Sequence, residues 1–168
     1  MLLEYRYGLL CGTGLSIWIL VEYALGFHTT SLEIGQYSGY FSIVVPIIVI
    51  YAALKEQNSK TNGVITVKEC INIGFQIAIY SAALFTLFLY IYTAYINPEW
   101  LNSVVEWQRK KLILSGASND EIGRFMDKNR RMNNAVGQGV MNFISTTGIG
   151  VFVTLIEIPI IRIFSGKK

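Results

Sequence analysis

The sequence predicts an all-α membrane protein, with four transmembrane helices and an amphipathic helical hairpin between the third and the fourth. Three observations carry that prediction. Of 168 residues, 52% are apolar or aromatic and only 15% are charged, against about 25% charged in soluble proteins. The mean hydropathy of +0.44 fits a water-soluble domain poorly, because a short soluble chain must cover its outside with polar groups. The apolar residues gather in four runs, each near the length of about 20 residues that crosses the hydrocarbon of a bilayer. This pattern argues against a secreted domain, a disordered tail or a nucleic-acid binder. The net charge of +3 is not gathered into a phosphate-binding stripe.

The chain reads as one four-span domain, residues 1–168. The first span is expected from Gly8 to Phe27. It follows a single basic residue, Arg6, and lacks a small-x-small cleavage site, so it should remain uncleaved. Cys11 stands before the apolar run instead of after it, which argues against a lipidation signal. The other spans are expected from Tyr37 to Leu54, Ile71 to Tyr95 and Val140 to Ile163. Tyr5, Tyr7, Tyr23, Tyr37, Tyr90, Tyr92 and Tyr95 mark span ends, as anchors at the headgroups do.

Four spans place both termini and the middle link on one side. Seven basic residues fall there (Arg6, Lys55, Lys60, Lys68, Arg162, Lys167 and Lys168) and seven on the other (Arg109, Lys110, Lys111, Arg124, Lys128, Arg130 and Arg131). The first outer link has no Lys or Arg, and the outer seven are balanced by Glu99, Glu106, Asp120, Glu121 and Asp127. The positive-inside tendency therefore predicts cytoplasmic termini.

Between the third and fourth spans, about 97–134, the chain turns polar. Asn97-Pro98-Glu99 is a helix start, with Asn as cap, Pro at the first position and Glu at the positive end of the dipole. Trp100, Leu101, Val104, Val105, Trp107, Leu112 and Leu114 share one half of the helical wheel. Gly116 should end this helix, and Ser118-Asn119-Asp120-Glu121 is a capping box for a second one with Ile122, Phe125, Met126 and Met132 on its apolar side. Such a hairpin either lies on the outer membrane surface, with Trp100 and Trp107 as anchors and Lys111 snorkelling, or packs against span ends or a second copy.

These features together resemble a family of small four-span bacterial inner-membrane proteins catalogued as a domain of unknown function. The resemblance rests on Tyr7-Gly8 entering the first span, Gly63-Val64-Ile65-Thr66 before the third and Asn97-Pro98-Glu99-Trp100 after it. Gly116-Ala117-Ser118 with Glu121-Ile122, and a Gly-rich last span running into Arg162 and Lys168, complete it. It implies a Gram-negative inner-membrane address and no activity; with the cytoplasmic termini that the charges predict, the hairpin would be periplasmic.

Inside the spans, small residues form two packing seams: Gly8, Gly12 and Ser16 in the first, and Gly74, Ala78 and Ala82 in the third. Asn72, Gln76 and Tyr80 lie opposite the second seam, which makes the third span central. In the fourth span Gln138, Asn142, Thr146, Gly150, Thr154 and Glu157 share one face, expected to point into the bundle. Glu157 should reach the level of Arg6, Lys55 and Arg162 and pair there, with a proton- or ion-coupled site as the alternative. Glu22 lies near the opposite end, too far for a carboxylate pair, and is expected at the headgroups with a solvated His28 just outside.

One His and two Cys, Cys11 and Cys70, without CxxC spacing leave no metal site, and no catalytic or cofactor motif is present. The sequence thus predicts a non-enzymatic membrane protein that needs no cofactor. Its partners would be the bilayer and either a second copy or another membrane protein, met through helix association. The alternative is a small transporter or channel with a polar path along the fourth span.

Overall fold

The computed structural model describes residues 2–132 and 135–165. Lys167 and Lys168, and the side chains of Arg130, Arg131 and Met132, which enter the charge count and the hairpin pattern, lie outside the described residues. The chain forms α1 (Leu3–Ala24), α2 (Leu32–Phe41), α3 (Val44–Lys60), α4 (Val67–Ile91), a π-helical turn (Tyr92–Ile96), α5 (Trp100–Leu114), α6 (Asn119–Met132) and α7 (Ala135–Ser165), with no strand among the described residues. Four stretches are long and apolar enough to cross a membrane, as in a multi-pass membrane protein: Leu3–Ala24, Leu32–Lys60, Val67–Ile96 and Gly137–Ile163.

The second stretch is two helices, a break that the apolar run conceals. Pro46 stands in the first turn of α3 and has no N–H to offer the Ser42 carbonyl, so the helix cannot continue smoothly through it. The backbone crosses the gap with tighter bonds, Ser42 N to Gly39 O at 3.2 Å, Ile43 N to Tyr40 O at 3.3 Å and Val45 N to Ser42 O at 3.1 Å. Asn62 and Gly63, both with positive φ, turn the chain toward α4. There Thr66 and Glu69 form a capping box in which Glu69 N donates to Thr66 Oγ1 at 3.2 Å and Thr66 N to Glu69 Oε2 at 2.8 Å.

At the other end of α4, the π turn widens the helix, and Asn97 N reaches back to Tyr92 O at 2.8 Å. α5 ends at Gly116, whose φ of 80° lets Ala117 N bond to Leu112 O at 3.0 Å. α6 opens on the Ser118 box: Glu121 N donates to Ser118 Oγ at 3.3 Å and Ser118 N to Glu121 Oε2 at 2.8 Å. That backbone N–H holds the Glu121 carboxyl below its usual range.

α4 is the hub, packed most extensively on α7 and α1, while α3 closes the bundle against α7, α1 and, less, α4. Close approach depends on the small residues. A Cβ on Gly8 would stand 2.4 Å from Tyr80 Cβ, one on Gly12 3.0 Å from Leu84 Cβ, one on Gly74 2.0 Å from Thr154 Oγ1, and one on Gly150 2.6 Å from Ala78 Cβ. Ser16 bonds within its own helix, Oγ to Gly12 O at 2.8 Å, and Ala82 is fully buried. Both small-residue rows therefore meet partners inside the chain. Where α1 begins and α3 ends, Glu56 joins the two: Arg6 pairs with it, Tyr7 Oη donates to it at 2.8 Å, and Lys60 Nζ does so at 2.8 Å. α2 stands apart and packs extensively on none of the other helices.

Candidate functional site

The polar residues of α7 face the bundle but differ in what they meet. Asn142 Nδ2 donates to Thr86 Oγ1 of α4 at 2.8 Å. Thr154 is buried and donates from Oγ1 to Gly150 O at 2.8 Å, with its side chain against Gly74. Gln138, Asn142 and Ser145 line a cavity of about 590 Å³ with Thr86, Thr93, Trp100 and Leu101, where the end of α4, the start of α5 and α7 meet. Asn142 and Ser145 also line a smaller cavity, about 170 Å³, that continues inward past Thr146 and Gly150 to Cys11, Ser81 and the α2–α3 break at Ser42 and Ile43. The six-residue face is therefore a polar edge along the middle of the bundle, with space beside most of it.

Glu157 ends that edge. It is 3% exposed, and neither carboxylate oxygen has a hydrogen-bond partner among the described residues. The expected pairing with Arg6, Lys55 or Arg162 is absent. Arg6 turns to Glu56 instead, and Arg162, five residues on, is rotated about 140° around the helix. Sharing a depth in the membrane does not mean sharing a side of the helix. Beside Glu157 lies a groove of about 290 Å³ between α3 and α7, lined by Ile43, Ile47, Tyr51, Phe152, Val153, Ile156 and Ile160.

At the opposite end of the bundle is a cluster that the sequence did not suggest. Glu22 is buried inside the protein, 2% exposed. Trp18 Nε1, one turn earlier, donates to its Oε1 at 2.9 Å. His28 is buried as well, with Nε2 3.3 Å from Glu22 Oε2 and Nδ1 2.7 Å from the hydroxyl of the fully buried Tyr92. Asn97 Nδ2 donates to that hydroxyl at 3.3 Å. One set of donors satisfies every contact: His28 Nε2–H to Glu22, Tyr92 O–H to His28 Nδ1, and Asn97 N–H to Tyr92. His28 is therefore not solvated, Tyr92 is not a headgroup anchor, and Asn97 gives its side chain to Tyr92 and not to the start of α5.

The two hairpin tryptophans have different surroundings. Trp100 stacks on His28 with ring centroids 4.4 Å apart, which ties α5 to the loop between α1 and α2. Trp107 is half-buried, with Lys111 Nζ 4.4 Å from its ring centroid. Only one local signal pointed to the cluster, the i,i+4 pairing of Trp18 with Glu22. The remaining contacts join residues up to 64 positions apart, beyond the reach of any spacing rule. Cys11 and Cys70 are free and buried, and no group of three metal-ligating side chains occurs among the described residues.

A helical bundle with four membrane-length stretches, a polar interior edge and two buried carboxyl groups far apart defines a class by architecture and not by reaction. Within that class the chain belongs to the family described as "Protein of unknown function (DUF4199)", whose profile matches residues 6–157. No curated protein and no solved structure matches it.

Proposed function

We propose that this is a bacterial inner-membrane protein with cytoplasmic termini and a periplasmic α5–α6 hairpin, which acts without catalysis by helix association, as a homo-oligomer or as a small subunit of a membrane complex. The observation that carries this reading is α2. About a third of the second stretch, α2, packs extensively on no other helix, and although Ser38 is buried, Ile34, Tyr37, Tyr40 and Phe41 are exposed. A Cβ on Gly39 of α2, or on Gly148 of α7, would meet nothing within 4 Å. Glycines with open space above them let a second backbone come close in a bilayer. The rows at Gly8 and Gly74 give no such support, because their partners are internal.

The test is one preparation of a tagged chain in which Cys11 and Cys70 are replaced by alanine and a single cysteine is placed at Lys60 or Arg124. An impermeant thiol reagent added to spheroplasts is expected to label Arg124→Cys and not Lys60→Cys. The same chain extracted in native lipid discs is expected at a fixed multiple of its mass or with a stoichiometric partner. The reverse labelling overturns the orientation, and a lone monomer overturns association.

A second reading, a small transporter with a polar path along α7, is favoured by one observation: the edge of Asn142, Thr146, Gly150 and Thr154 ends on a buried carboxyl group that nothing in the described structure pairs.

A further inference from the structure

A carboxylate removed from water and from every donor is costly unless a proton or a positive charge accompanies it. Glu157 is in that position, with both oxygens buried and without a partner among the described residues. Of the three basic residues expected to pair with it, Arg6 is held by Glu56, and neither Lys55 nor Arg162 bonds to it. What adjoins the carboxyl group is the α3–α7 groove of about 290 Å³, and apart from Glu157 its walls are aliphatic or aromatic. The outer rim, formed by Ile47, Phe152, Ile156 and Ile160, is exposed and apolar, as a side that faces acyl chains would be.

We propose that this groove is a binding site for a lipophilic monocation, whose positive centre stands against the Glu157 carboxylate while its apolar body lies between α3 and α7. The class follows from the lining. A hard metal ion needs several oxygen ligands, and among the described residues the groove supplies one carboxylate and, besides it, the Tyr51 hydroxyl. A strongly hydrated ammonium would lose its water to an apolar wall without replacement. A cation whose charge is shielded by carbon loses little on leaving water, gains dispersion contact along the groove, and can face the rings of Tyr51 and Phe152. Its route in is lateral, from the bilayer, because the exposed rim lies there.

The inference deepens the transporter reading by naming a ligand class, yet binding requires no flux. The probe is tetraphenylphosphonium, measured by equilibrium dialysis against the full chain in lipid discs, with empty discs subtracted. Saturable binding of one cation per chain is expected. Glu157→Gln, which keeps shape and hydrogen-bonding capacity while removing the charge, is expected to weaken binding by at least about tenfold. Ile47→Trp, which fills the groove from its exposed rim and spares the carboxyl group, is expected to do the same. Glu33→Gln, on exposed α2, leaves binding unchanged. Variants are compared only at equal helicity and equal particle size. Absence of saturable binding to the wild type, or full binding by a well-folded Glu157→Gln, overturns the site. Binding without flux into liposomes keeps the site and removes the transporter reading, whereas flux of another solute without phosphonium binding does the opposite.

Discussion

Gly74→Val is expected to cost about 3 kcal/mol or more and to separate α4 from α7. The position has no room for any Cβ, since one built there falls 2.0 Å from Thr154 Oγ1, 2.4 Å from Cγ2 and 2.7 Å from Cβ. Rotating Thr154 moves the first two atoms but not the third, so the helices themselves must part. Overpacking in a dense core costs about 1–3 kcal/mol when neighbours can shift. Here the neighbour is anchored by its own bond to Gly150 O and by Ala78 against Gly150 one turn away. Removing a helical glycine returns only about 0.5–1 kcal/mol of backbone entropy. Thr154→Gly should rescue most of the loss, and Thr154→Ala only part, because alanine keeps the Cβ. Gly148→Ala on the open side of α7, where nothing lies within 4 Å, should be neutral or slightly stabilising. Unfolding in graded denaturing detergent measures all four. A fully stable Gly74→Val would mean that α4 and α7 do not meet at this point.

Tyr92→Phe is the second large effect, and it is local. The ring contacts with Tyr23, His28 and Trp100, at 5.9, 5.7 and 5.4 Å, survive the change. Only the hydroxyl is lost, and with it the partner of His28 Nδ1 and of Asn97 Nδ2. Two buried polar groups left without partners cost about 1–3 kcal/mol each at most. The strain falls on the join between the α1–α2 loop and the start of α5, so amide exchange over α5 is expected to rise roughly tenfold or more while α4 and α7 stay protected. Tyr90→Phe, two residues away and exposed, should change nothing. Equal exchange in the two variants would show that the hydroxyl network does not hold α5 in place.

Much of the architecture was legible because it is written in local signals. Four apolar runs become four membrane-length stretches, Gly116 ends α5, and Ser118 with Glu121 starts α6. The polar face of α7 follows from period alone. Two kinds of information were not local. Pro46 sits in a run so apolar that hydropathy passes over it, although its missing N–H is what divides the span. The pairings of buried ionisable groups depend on azimuth and on tertiary approach: Glu56 and not Glu157 takes Arg6, and His28 meets Glu22 and Tyr92 across a loop. A lone histidine beside a span end reads as solvated until the loop is seen to fold back over it. Gly74 and Thr154 each stood out in sequence, but nothing in either helix indicated that they meet.

The central claim is that α7 turns its polar edge, Glu157 included, into the bundle and its aliphatic side outward. A nitroxide scan along α7 in lipid discs, read as collision with dissolved oxygen, tests it most directly. Labels at Ile144, Gly148, Phe152 and Leu155, all exposed, should give maxima, and labels at Asn142, Thr146, Val153 and Glu157 should give minima. Gly150 is omitted because Ala78 fills the space that its label would need. A helical period with these phases supports the account; maxima at Val153 and Glu157 would contradict it.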